Sequence, residues 1–212
     1  MTSSATSISP PTRHQYPIQS ASSSSITNAT TKSPVATAAS KLVVPPTTFL
    51  FRDNAIEIAV HRPGPSMTRE IQLFLRGRPS EGRKSGSICV VTTCQEAKVG
   101  LLEWSEVVNK EKDRLLNVFV SWAASICESI RKRGYWADFF DPASGLLHAT
   151  DGNIVWSEVH AMQVLRGHRL HLAGQCHVTL HPVFGPNVYP ASLLIDAPED
   201  VIVDIILNNN KP

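Results

Sequence analysis

The clearest pattern along the chain is a stripe of large apolar residues three and four positions apart: Leu115, Phe119, Trp122, Ile126 and Ile130. That spacing predicts an amphipathic helix over about Asn109–Arg133. Glu111 and Asp113 fall in its first turns and Arg131, Lys132 and Arg133 in its last, the order that the helix dipole prefers. Gly134 follows, suited to the left-handed conformation that ends a helix. The period then changes to two. Tyr135–Phe140 reads as a short buried strand, with Tyr135, Ala137 and Phe139 on one face and Trp136, Asp138 and Phe140 on the other. Asp141-Pro142-Ala143-Ser144-Gly145 has the composition of a turn.

Other segments repeat the two periods. Ala55–Val60 alternates as a strand. After His61-Arg62-Pro63-Gly64-Pro65, Ser66 is placed to cap a short helix carrying Met67, Ile71, Phe74 and Leu75. Ser87–Thr93 reads as a buried strand, and Val99–Trp104 as a second, hairpin-paired to it through Gln95–Lys98. Asp151 or Asn153 is a cap for a helix through Val155, Val159, Met162 and Leu165, ended by Gly167, with His168 and His171 in the loop beyond. Gln175–His181 alternates again, with Cys176, Val178 and Leu180 opposite His177, Thr179 and His181. Gly185-Pro186-Asn187 turns the chain, Val188–Ile195 is a further strand, and Pro198, Glu199 and Asp200 open a last helix through Val201, Ile205 and Ile206. Mixed strands and helices with a hairpin predict an α+β fold: a mixed, mostly antiparallel sheet with helices packed on it.

Composition divides the chain. The first 50 residues contain 20 Ser or Thr, 6 Pro, the cations Arg13, Lys32 and Lys41, and no acid. Such a segment has too few large apolar groups to offset the ~1–2 kcal/mol per residue that ordering costs. We expect residues 1–47 to be an unstructured tail, with Val43-Val44-Pro45-Pro46 a stiff linker, and residues 48–212 to be one domain. A Ser-rich, acid-free, weakly basic start also describes a mitochondrial transit segment, although Pro10, Pro11 and Pro17 interrupt any amphipathic helix there. Net charge is +2, too balanced to imply nucleic acid, and no apolar run nears the ~20 residues of a membrane span. The cysteines, Cys89, Cys94, Cys127 and Cys176, form no C-x-x-C pair, which predicts a reducing compartment without a structural disulfide.

Four groups of residues have chemical potential. His168, His171, Cys176, His177 and His181 offer soft ligands for zinc, but alternation points Cys176 and His177 to opposite faces. Cys176 with His168 or His160 makes a nucleophile pair of low specificity. Asp138 and Asp141 pair as acid and base, but turn chemistry explains Asp141, and backbone donors explain Asp138. Tyr135 and Trp136 read as core packing in preference to a pocket lining. The basic, Gly-rich run Arg76–Gly86 lacks the Lys-Ser/Thr pair and helix of a phosphate-binding loop, so it reads as solvated.

Residues throughout the second half carry a resemblance. Trp104-Ser105-Glu106, the helix ending in Ile126-Cys127, Gly134–Phe139, Asp141-Pro142 and Ser144-Gly145-Leu146 resemble the CblD cobalamin trafficking family, the methylmalonic aciduria and homocystinuria type D proteins. Gly174, Cys176, Val178, His181 and Gly185 continue the likeness, which runs from about Ala55 to the C-terminus. The resemblance implies a nitroreductase-like α+β fold without flavin or catalysis, monomeric alone. It implies an adaptor in cytoplasm and mitochondrion that meets a CblC-type cobalamin-processing protein. That adaptor directs cobalamin to methionine synthase or methylmalonyl-CoA mutase. It further implies a cysteine thiolate on the late strand that ligates the cobalt of cobalamin held with the partner; no cofactor is expected on the chain alone. The family's two adjacent cysteines are here Gln175 and Cys176. Cys176 is the metal-binding residue if the second position carries the ligand; if the first does, Gln175 has replaced it. Leu147–His171 departs from the family's pattern, so no partner contact is carried onto it. The shared fold leaves a flavin-dependent reductase as the alternative.

Overall fold

The computed structural model describes residues 40–76 and 88–208. The loop Arg76–Gly86 therefore lies outside the described residues, save Arg76, as do residues 1–39 of the tail. The elements are β1 (Lys41–Phe51), β2 (Asn54–Arg62), α1 (Pro65–Phe74), β3 (Ile88–Glu96), α2 (Glu106–Lys132) and β4 (Trp136–Phe139). They continue with α3 (Glu158–Arg166), β5 (Arg169–Ala173), β6 (Cys176–Leu180), β7 (Val188–Asp196) and α4 (Glu199–Asn208). Five strands form one sheet in the order β1-β2-β3-β7-β4, and every pair is antiparallel. This is the expected α+β class.

Pleating divides the sheet between two apolar layers. Ile56, Ile58 and Val60 of β2, Cys89 and Val91 of β3, and Leu193 and Ile195 of β7 pack against Phe119, Trp122, Ile126 and Ile130 of α2 and Ile202, Ile205 and Ile206 of α4. The opposite face presents Val90 and Leu194 to Met67, Ile71 and Phe74 of α1 and to Ala161 and Leu165 of α3. The α2 stripe is buried at all five anticipated positions. Ser105 caps the helix, its Oγ accepting from the Val108 N–H at 3.2 Å, and Gly134 leaves it at φ +81°. β4 obeys the expected alternation: Tyr135, Ala137 and Phe139 join the α2 layer, while Trp136 and Phe140 join the other.

Several expectations fail for non-local reasons. Val43–Pro46 is no linker but lies within the edge strand β1, so structure begins before residue 48. The register of β1 shifts between Val44 and Thr47, where Pro45 and Pro46 sit, as an edge strand allows. A two-residue turn with Arg52 at φ +48° and Asp53 at φ +62° joins β1 to β2. Val99–Trp104 forms no strand: β2 and β7 already flank β3, and residues 97–105 lead into α2 with Trp104 92% exposed. The α1 cap is Gly64 with Pro65 behind it, so Ser66 lies inside the first turn. The α3 cap is Ser157, not Asp151 or Asn153. Trp156 must first enter the second layer, its N–H donating to Gly145 O and its ring stacking on Phe140 at 4.6 Å, which holds the preceding chain extended. Gly167 ends α3 in the left-handed region, as expected.

Candidate functional site

Cys176 opens β6, directly after the Gly174-Gln175 turn that joins it to β5. These two strands form a separate two-stranded sheet, which places His171 in a strand instead of a loop. The register pairs Ala173 with Cys176, Leu172 with His177 and His171 with Val178. Cys176 and His177 therefore point to opposite faces, while His171 and Cys176 share one. Cys176 is the exposed cysteine; Cys89, Cys94 and Cys127 are buried. Burial pushes the Cys89 thiol up to about 11 and those of Cys94 and Cys127 up to about 12. Those three resist forming the thiolate that binds metals and electrophiles. A Cβ at Gly174 would meet nothing within 4 Å, so the turn beside Cys176 is uncrowded at that position.

The zinc set is not assembled. His171, Cys176 and His177 spread over the two faces of the hairpin, while His168 and His181 sit at its base. His181 instead meets Glu57 and Cys94, with one ligand atom of each within 4.8 Å of the others. This trio is ill suited to a cation. The N–H groups of Val183 and Phe184 both donate to His181 Nδ1 at 3.2 Å, so the neutral ring carries its proton on Nε2. That Nε2 proton points to Glu57 Oε1 at 3.1 Å, and the Arg166 guanidinium donates to the same oxygen. A metal would find neither a free lone pair on His181 nor an unneutralised carboxylate.

The base of the hairpin is a buried polar cluster that sequence reasoning missed. The Arg166 side chain is 4% exposed and bridges Glu57 to Thr92 Oγ1, the latter at 3.4 Å. His61 lies two pleats beyond Glu57 on the same face, with its Nε2 buried and unpartnered. Burial and then Arg166 push His61 and His168 down to about 4, so both are neutral near pH 7. For Glu57, burial is outweighed by the hydrogen bonds of His181 and Arg166 and by the Arg166 charge, which hold it below the usual carboxylate range. The only sequence signal was an acid within an apolar alternation, Ile56-Glu57-Ile58, and a cation ending a helix; both occur commonly on surfaces.

The remaining candidates resolve as packing or turns. Asp138 is buried and accepts from the N–H groups of Phe139 at 2.9 Å and Ala149 at 3.1 Å, and from Thr150 Oγ1. Asp141 accepts from Ala143 N–H and Ser144 Oγ in the turn. Neither His160, which faces Glu70 at 3.7 Å, nor His168, which lies against Thr179 Oγ1 at 3.3 Å, is hydrogen-bonded to Cys176. A cavity of about 460 Å³ lies between the start of β2, the end of β3 and α2. Its Arg114 is committed to both oxygens of Glu111 and to Asn54 Oδ1, leaving little of the guanidinium for a flavin phosphate.

Comparison with known proteins supplies the family. A family model described as methylmalonic aciduria and homocystinuria type D protein matches residues 9–206. The human cobalamin trafficking protein CblD is 33% identical over 117 residues, 55% of this chain and 40% of that protein. The mouse protein of the same name is 31% identical over 127 residues, 59% of this chain and 43% of that one. The chicken one is 33% identical over 114 residues, 53% and 38%. The chain spans about two-fifths of the length of the curated relatives it matches. With a match that begins at residue 9 and runs through α3, the Cys176 hairpin and most of α4, the chain belongs to the methylmalonic aciduria and homocystinuria type D protein family.

Proposed function

We propose that this protein traffics cobalamin by protein contact, without catalysis of its own, and that Cys176 supplies a thiolate to the cobalt. The observation that carries this reading is the placement of Cys176: it is the exposed cysteine, at the turn of a projecting hairpin, in a chain whose relatives are named cobalamin trafficking proteins. Cobalamin is cargo here, presented by a CblC-type processing partner. The uncrowded turn at Gly174 lets the sulfur approach a flat, bulky ligand. Cobalt takes the thiolate form, so adduct formation releases a proton and is favoured by rising pH. Gln175 lies in the turn itself, and its amide contributes no metal-binding sulfur.

From that adduct the chain hands cobalamin on, to methionine synthase in the cytoplasm and to methylmalonyl-CoA mutase in the mitochondrion, acting as a monomer until it meets the partner. An α+β sheet with helices on both faces suits such a role, with Cys176 exposed on the separate hairpin. The flavin reductase alternative is not favoured, because the described Arg114 is already engaged and the relatives are named for trafficking. The test is to mix the protein with the cobalamin-loaded partner and follow the cobalt absorption bands. Wild type shifts the bands to those of a cobalt–sulfur bond and Cys176→Ser does not, while both still bind the partner. A sulfur-type spectrum that survives Cys176→Ser refutes the assignment.

A further inference from the structure

The hairpin carrying Cys176 has little of its own to hold it. It is a two-stranded sheet separate from the main one, and within its two strands only Thr179 is buried. An isolated two-stranded hairpin is marginal in water unless something packs on it. None of its apolar side chains, Leu170, Leu172, Val178 or Leu180, belongs to the buried core.

What anchors it is polar and sits at its base. His168 immediately precedes β5 and His181 immediately follows β6, so the two residues bracket the hairpin. Their rings meet edge to face at 5.1 Å. His168 is tied to Thr179 Oγ1 at 3.3 Å, within the hairpin, and His181 Nε2 to Glu57 Oε1 at 3.1 Å, on the main sheet. Arg166, at the end of α3, closes the set by donating to Glu57 and to Thr92 of β3. Phe184, stacked on His181 at 4.3 Å, is the apolar support beside them, against Cys94, Met162 and Val188. Gly167 at φ +65° and Gly185 at φ +58° flank the unit, and a Cβ at either would meet nothing within 4 Å.

We propose that Glu57, Arg166, His168 and His181 are positioning residues that hold the Cys176 hairpin on the sheet, so that breaking this clasp frees the hairpin and leaves the rest of the domain folded. Its functional consequence rests on the reading of Cys176 as the cobalt ligand: a clasped hairpin holds the sulfur where the partner's cobalt can meet it. The physical basis is that the apolar cores do not include the hairpin strands, so that beside its packing on α3 the buried polar clasp ties it to the main sheet.

The test is amide hydrogen exchange on the full chain, comparing wild type with Glu57→Gln and Arg166→Met. Residues 169–180 should exchange at least about tenfold faster in both variants, while amides of α2, β3 and β7 keep their wild-type protection. At a temperature where the variants remain folded, their cobalt–sulfur adduct with the cobalamin-loaded partner should form at a small fraction of the wild-type rate. Thr179→Val, which removes only the partner of His168, serves if the other two do not fold and should loosen the same residues. Acceleration spread evenly over the domain, or an unchanged hairpin, overturns the proposal. If wild type itself forms no adduct, the reading of Cys176 fails, while the exchange pattern still decides the clasp.

Discussion

Replacing Glu158 by Gln should stabilise the protein in alkaline but not in acidic solution. Glu158 opens α3, and its Oε2 accepts from Ser192 Oγ at 2.6 Å while Oε1 is buried without a partner. Burial pushes its carboxyl up to about 7 from 4.5, against the pull of Ser192 and of a poorly aligned Trp156 indole. A folded value above the unfolded one means that protonation favours the fold. The contribution is full below about 4.5 and is lost as the pH rises through 7. A shift of this size corresponds to at most about 3.4 kcal/mol by linkage. Local hydration and relaxation reduce that to roughly 2 kcal/mol, and the dipole of α3, which favours a charge in its first turn, removes a further ~0.3–1 kcal/mol. Gln has the same shape and no charge at any pH. Thermal denaturation of both proteins at pH 4 and pH 8.5 should give nearly equal midpoints at the lower pH. At pH 8.5 the variant's midpoint should be higher by about 2–7 °C, using ~2–4 °C per kcal/mol for a domain of this size. A difference independent of pH, or a variant less stable at pH 8.5, would refute the placement of a charged, buried carboxylate there.

Two further predictions concern packing. Phe119→Ala removes a fully buried ring that meets Phe139 edge to face at 5.7 Å, and should cost about 3–5 kcal/mol in urea denaturation; a loss under 1 kcal/mol would mean that α2 does not pack as described. Gly145→Ala should be far more damaging than Gly174→Ala, although both residues have positive φ. At Gly145 the new Cβ lies 2.6 Å from Val155 Cγ1 and 3.0 Å from Trp156 O, whereas at Gly174 it meets nothing within 4 Å; equal midpoints for the two variants would refute this.

Sequence period alone was enough wherever an element's own neighbours decide its structure. The α2 stripe, the two faces of β4, the left-handed exits at Gly134 and Gly167, and the turn around Asp141 all depend on residues within a few positions of one another. Burial of Cys89 and Cys127 followed from the same reasoning, and so did the separation of Cys176 from His177. The family was legible too, from motifs on α2, β4 and β6.

Tertiary structure decided what depends on partners distant in sequence. Lys41–Phe51 is a strand because β2 offers it an edge, which a Pro-Pro pair conceals in the sequence. Val99–Trp104 has strand-like composition but no edge to join, since β7, about 100 residues further on, already pairs with β3. Ser157 became the α3 cap only because Trp156 had to reach Phe74 and Phe140. The clasp under Cys176 joins Glu57, Arg166, His168 and His181, which span 124 residues between Glu57 and His181 alone. No local period marks such a set. Each residue is an ordinary polar group on its own element, and only the burial that the folded sheet imposes makes their mutual hydrogen bonds obligatory.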